Sequence, residues 1–282
     1  MVLLLPVGRD IRLLRHWLEH YAGFGFDRIL ISVHVRPEWS PTLVEDVRRA
    51  AAAYGGIVAD VHSAVFSNLK ERRERLIAAY CQPQDWVFMA DMDEFHEYPS
   101  PPRDLVAMCE RLGFDYVMGR LLDRVGPDGT FPDLDDRPLW DQFPVGLNLT
   151  ETLIGGTPAK VVFARASVRI VEGQHQAVTG VGCPEDGLNI VVHHFKWDAS
   201  VVERTRYMAW KNALEGNWYF LQQRRFLKFI EAHGRIPLDD PRLTVSRPPY
   251  RRSNPGSAEA TPPPLCHPPT PDTGNACQRR FQ

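Results

Sequence analysis

Three carboxylates stand within four residues at Asp91, Asp93 and Glu94, inside the stretch DWVFMADMDEFHEYP that spans 85–99. An apolar run, Trp86 to Ala90, leads straight into them. Like charges this close repel, and the end of a buried strand disfavours ionisation, so a compensating positive charge is expected. A divalent metal is the first candidate, because hard cations take carboxylate oxygens. In an extended chain Asp91 and Asp93 would point the same way about 7 Å apart, suited to one hydrated ion and a diphosphate. The simpler alternative is a solvated loop in which Asp93 or Glu94 caps a helix. The apolar strand before the cluster, the third acid and Phe95 favour a site.

Other residues join this candidate from elsewhere. His193 and His194, in HHFKW, fall on opposite faces of a strand, so one enters a site while the other packs. Trp140 and Phe143, in LWDQF, are able to stack on a sugar, although core packing is the commoner fate of aromatics. Residues 70–75, KERRER, alternate in sign as solvated helix faces do, with Arg73 the one that would turn towards a ligand.

The elements that must position these residues alternate over the first 120 residues or so. Strands are expected at Val2 to Val7, 28–35, 57–61 and Trp86 to Ala90, and helices over 10–22, from Ser40-Pro41 to the glycines at 55–56, 68–81 and 103–112. This alternation implies a mostly parallel sheet covered on both faces. The acids then lie beyond the fourth strand's carboxyl end, where open α/β sheets bind ligands. After about residue 122 a turn-rich loop gives way to antiparallel strands at 159–171 and 187–197, then helices near 199–214 and 217–233. From Ile236 onward lie 11 of the 24 prolines and little apolar periodicity, the composition of a disordered tail.

Chain-wide properties narrow the function. A formal net charge of −2 gives no footprint for nucleic acid. No apolar run reaches the roughly 18 residues of a membrane span, and the opening MVLLLPVGRD reads as a buried strand rather than a signal peptide. Five scattered cysteines without a CxxC pair suit a reducing cytoplasm.

DWVFMADMDEF resembles the strand and DxD turn of GT-A glycosyltransferases, in their family 2-like branch. The opening LPVGRDIRLLRHWLEHYAGFGFDRILI and the later LWDQFP, AKVVFARASVRIVEGQHQ and VVHHFKW are similar to the same branch, in the same order, over about residues 2–215. Two places depart from it: Arg9-Asp10 stands where the branch has Asn-Glu, and His34 where an acidic or amide residue is common. The resemblance implies an α/β GT-A fold, a Rossmann-like sheet flanked by helices, with a smaller antiparallel acceptor-side part and C-terminal helices. A nucleotide-sugar-binding half over 1–122 and an acceptor half over 123–235 would precede the tail at 236–282.

It further implies transfer of a sugar from a nucleotide-diphosphate donor to a hydroxyl acceptor, with inversion and with Mn²⁺ or Mg²⁺ as cofactor. The metal would rest on Asp91, Asp93 and His194. Donor contacts would come from Arg9, Asp10, Asp60, Arg73, Asp91 and Lys196. His175, in EGQHQ, and Trp140 would lie on the acceptor side. Asp186, in PED, matches the pair that supplies the branch's base, with Glu94 as its rival. Two other readings remain open: a nucleotidyltransferase, for which PVGRD is a poor phosphate loop, and a non-catalytic nucleotide-sugar-binding relative, which has little use for three adjacent acids. Phosphatases of the haloacid dehalogenase type carry their DxD after the first strand, not the fourth.

Overall fold

Leu3, Leu4 and Leu5 are all buried, which only a strand covered on both faces allows. A computed structural model describes residues 1–8, 10–36, 39–63 and 69–246, the side chains of Glu185 and Asp186 aside. Strand β1 (Val2–Val7) is followed by α1 (Leu14–Ala22), β2 (Arg28–His34), α2 (Leu43–Ala52), β3 (Gly56–His62), α3 (Leu69–Tyr80) and β4 (Trp86–Met89). β1 pairs in parallel with β2 and with β4, and β2 in parallel with β3. Leu14, Trp17, Leu18 and Tyr21 of α1 are buried against this sheet at helical spacing.

The second half adds β5 (Glu94–Glu97), α4 (Pro102–Leu112), β6 (Tyr116–Val125), α5 (Leu139–Gln142), β7 (Val145–Leu147), β8 (Ala159–Arg165), α6 (Glu185–Leu188), β9 (Val191–His194), α7 (Val201–Leu214), α8 (Tyr219–His233) and β10 (Val245–Ser246). The sheet runs β10-β7-β6-β8-β4-β1-β2-β3, antiparallel from β4 through β8 to β10. The molecule is thus mixed α/β, parallel in its first half and largely antiparallel in its second. β6 forks: its start pairs with β8, while Arg120 to Asp123 pair with β9, which in turn carries β5. Gly119 sits at the fork, where a Cβ would lie 2.7 Å from Val162 Cγ1 and 2.9 Å from Val192 Cγ2. The fork sets Asp123 opposite His194 and Glu94 opposite His194.

Several expectations need correction. The chain does not stay extended through the acids: Glu94 N–H donates to the Asp91 carbonyl at 2.9 Å, closing a turn that delivers β5. β6 continues into the expected loop because Asp123 is fully buried and bonded there, as described below. α2 begins at Leu43 rather than at Pro41, since the Ser40 hydroxyl accepts Thr42 N–H in a short turn outside the helix.

The packed chain also passes the boundary expected at Ile236. Ile236 is fully buried and its N–H donates to the Gly129 carbonyl, while Val245 pairs with Leu147. A Cβ at Gly129 would stand 1.9 Å from the Ile236 carbonyl oxygen, so this approach demands glycine. The rest of the expected tail, 247–282, lies outside the described residues. Ending the chain after Ser246 is expected to leave the melting temperature unchanged. Ending it before Ile236 uncovers the cluster of Trp197, Phe226 and Ile230 and removes a buried aliphatic side chain, a cost of about 2–5 kcal/mol. That corresponds to a fall of roughly 5–15 °C, read by thermal unfolding of the two truncations.

Candidate functional site

The positive charge that the three acids require comes from the chain itself. Lys160, on β8 and 5% exposed, sets its ammonium 2.7 Å from Asp91 Oδ2 and 2.6 Å from Glu94 Oε1. The other Glu94 oxygen accepts the Asp91 N–H, so the carboxylate is fully engaged as well as buried. Burial alone would push the lysine down and the glutamate up. Asp91 and Glu94 prevail on Lys160 and hold it protonated above its ordinary range.

His194 is the second internal cation. Its Nδ1 lies 3.0 Å from Asp123 Oδ1 and its Nε2 3.4 Å from Asp93 Oδ2. Burial and Lys196 press its pKa down, but Asp93 and Asp123 outweigh them and raise it to about 9. Asp93 is desolvated too, yet His194, Lys196 and Lys160 hold its carboxyl below the usual range. Asp123 also accepts Thr150 N–H, the Thr150 hydroxyl and Trp197 Nε1–H, four hydrogen bonds in all with His194. It is the post that orients the histidine.

Asp91 and Asp93 face outwards from this buried network, with 39% and 34% of their side chains exposed. Asp91 borders a cleft floored by Leu4, Leu5, Pro6, Met89 and Ala90 and walled by Lys70, Arg72 and Arg73. Two lining side chains hold buried polar atoms that find no partner among the described residues: Arg72 Nε and Gln174 Oε1. Gln174 also holds a left-handed backbone, φ 63°, a strained state for a side chain of its size. An orphaned donor and an orphaned acceptor in one cleft call for a polar ligand.

The remaining expected residues divide between the cleft and other faces. Arg73 lines the cleft while donating to the Ile170 and Val171 carbonyls. Asp60 binds Arg72 at 3.2 Å and accepts the Ser32 hydroxyl at 3.0 Å, both cleft residues. The Lys196 ammonium rests 4.7 Å from the Trp197 ring centroid, and its charge acts on Asp93 and His194. His175 bonds the Ala159 carbonyl through Nδ1, next to the lysine strand.

Asp10 is gripped by Arg12, which reaches on to Asp198. Trp140 lies on the opposite face of β9, edge-on to His193 and over the Arg124 guanidinium, and Phe143 is fully buried behind it. His193 meets Glu97 on that face, as the alternation along the strand requires. Arg9 and the Asp186 side chain lie outside the described residues.

A divalent cation fits these residues on one condition. Two ligands about 2.1 Å from an ion and at right angles stand about 3 Å apart, close to the spacing of Asp93 Oδ2 and His194 Nε2. Among the described residues no group of three His, Cys, Asp or Glu is gathered for a metal, and Asp91 is held by Lys160. A cation here would need substrate phosphates to complete its shell, the usual way Mg²⁺ is held.

No family model matches the chain, and no curated protein matches it. Among solved structures it is similar to residues 1–349 of S. aureus TarS, at 13% identity over 83% of this chain and 73% of that one, TM-score 0.37. It is also similar to 4-diphosphocytidyl-2C-methyl-D-erythritol synthase, at 15% identity over 59% and 75% of the two chains, TM-score 0.31. A third structure, UDP-glucose pyrophosphorylase complexed with UDP-glucose, shares 10% identity over 52% and 66%, TM-score 0.28. Likeness at this level does not extend to function.

Proposed function

We propose that this chain is a glycosyltransferase that takes its sugar from a nucleoside-diphosphate donor, with Mg²⁺ or Mn²⁺ as cofactor. One observation carries the reading: Asp91, at the carboxyl edge of β4, borders a basic-walled cleft lined by Arg72 and Gln174, each with a buried polar atom that finds no partner among the described residues. The apolar floor suits a base and ribose, and Lys70, Arg72 and Arg73 suit phosphate oxygens. Arg72 and Gln174 would border the nucleotide in that cleft.

Asp93 and His194 would hold the cation, and Lys196 would meet the diphosphate beside them. When bound, the ion neutralises charge that develops on the departing diphosphate. The chain's own residues do the rest. Lys160 keeps Asp91 and Glu94 from recoiling, so the turn is preorganised before any ligand arrives. The acceptor hydroxyl attacks the anomeric carbon as its bond to the diphosphate oxygen breaks, and a carboxylate takes the hydroxyl proton. We assign that base to Asp186 in preference to Glu94, whose two oxygens are already engaged by Lys160 and by Asp91 N–H. His175 would border the acceptor.

Calorimetric titration of nucleoside diphosphates and their sugar conjugates, with Mg²⁺ and with chelator, tests the reading. Binding strengthened by the ion, with slow release of free sugar from one conjugate, is the expected result. Binding of a nucleoside triphosphate, with pyrophosphate released from it as a sugar phosphate takes its nucleotidyl group, would make it a nucleotidyltransferase instead. No binding of any nucleotide would end the proposal.

A further inference from the structure

Six apolar side chains lie open on the last two helices. Tyr207, Trp210 and Leu214 recur three and four residues apart along α7, on one face, and are 55%, 61% and 70% exposed. Trp218, Tyr219 and Leu221 continue the patch around the hairpin turn into α8, at 57%, 44% and 50%. A lone exposed hydrophobic is ordinary, but six on one hairpin, four of them aromatic, mark a contact surface. Among the described residues the packed core does not use them. The hairpin's inner face is closed by Val201, Ala209, Phe226 and Ile230.

The same segment carries an excess of positive charge. Residues 201–235 hold seven Arg and Lys against three Glu, a net of +4 in a chain whose formal net is −2, so the remainder stands at −6. Arg206, Arg224, Arg225 and Lys228 are exposed. Trp and Tyr beside Arg and Lys is the composition of a helix lying in the headgroup layer of a bilayer. The rings enter the acyl boundary, their N–H and O–H groups stay among the headgroups, and the basic side chains meet anionic lipid. A second copy of the chain is a poor occupant, because two +4 hairpins would face each other across a two-fold contact. Among the described residues no helix is long and apolar enough to cross a membrane, so the geometry is that of lying on the surface.

We propose that the α7–α8 hairpin docks this protein on an anionic membrane surface through these six side chains and the exposed basic residues around them. The proposal stands apart from the transfer reading and survives its failure.

Flotation of the purified full chain with vesicles tests it. One set is phosphatidylcholine alone and the other contains about one-third phosphatidylglycerol. The protein is expected to float with the anionic vesicles, and to be released by about 0.5 M salt. The double variant Trp210→Ser/Trp218→Ser is expected to lose about tenfold or more in vesicle affinity with its melting temperature unchanged. Arg224→Glu/Lys228→Glu, which leaves every aromatic in place, is expected to lose binding to the anionic vesicles as well. Absence of flotation with both vesicle types overturns the proposal, as does undiminished binding by both variants. A concentration-dependent dimer dissolved by Trp210→Ser/Trp218→Ser would overturn it in favour of a second copy.

Discussion

Lys160→Met is expected to cost about 3–5 kcal/mol of stability, because it strands Glu94 as an unpaired charge in the interior. For a domain of this size the melting temperature falls by about 10 °C or more. Methionine nearly preserves the volume, so the loss measures the charge rather than a cavity. Adding Glu94→Gln to the same chain removes the stranded carboxylate and should restore more than half of the loss. That double variant also keeps the test alive if Lys160→Met alone fails to fold. Acidity supplies a second handle. Burial already raises the Glu94 pKa, and without Lys160 the rise is larger. A carboxyl whose folded pKa is raised favours the folded state below its ordinary range and loses that contribution as pH climbs through the folded value. The deficit of Lys160→Met should therefore be small near pH 5 and large at pH 8. Thermal unfolding at the two values decides, and equal stability to the parent at pH 8 would remove Lys160 from its place as the cation of the turn.

Lys160 also shows where the sequence stopped being readable. The three acids announced that positive charge must lie near them, and that inference holds in kind. The source was not legible, since Lys160 follows Asp91 by 69 residues and Glu94 by 66. At the start of AKVVFAR it looks like any lysine leading into a strand, usually a solvated position. It is the pairing of Lys160 with Gly119, where the missing Cβ lets Val162 and Val192 close in, that sets it beside the acidic turn. Asp123 was lost for a related reason. Followed by Arg-Val-Gly-Pro it reads as the opening of a loop, yet Thr150, His194 and Trp197 give it enough partners to be buried within β6.

Local apolar patterns, by contrast, sufficed for β1, β2, β4 and α1, because their burial follows from their own residues, and for β3 although its Ile57 and Val61 are exposed. The opposite facing of His193 and His194 followed from strand alternation alone. Trp140 illustrates the limit of residue type as a guide. An aromatic able to stack on a sugar is occupied instead by Arg124, His193 and Phe195. Gln174 carried no signal except its neighbours, a glycine and a histidine in EGQHQ; its left-handed backbone and orphaned oxygen exist only in the fold.

Asp93→Asn is expected to reduce donor turnover by about 10²–10³-fold in a protein that still folds. The variant keeps the hydrogen bond from His194 to Asp123 and loses one of the two carboxylates that hold the imidazole charged. The parent should also show a pH signature at this pair. His194 has a folded pKa of about 9, above its ordinary value of about 6.5. Its contribution to stability is therefore complete below that ordinary value and is lost as pH rises through about 9. A cation bound by Asp93 and His194 must displace the imidazole proton, so Mg²⁺-supported affinity for a nucleoside diphosphate should climb from pH 6.5 to about 9, by at most about tenfold per unit. Chelator should abolish the climb. His194→Gln should flatten it, while His193→Gln, on the opposite face with Glu97, should leave it intact. The measurement is calorimetric titration across that pH range for the parent and both variants. A flat Mg²⁺-supported affinity in the parent would detach His194 from the ion. A climb that survives His194→Gln and vanishes in His193→Gln would place the metal on the other face of β9.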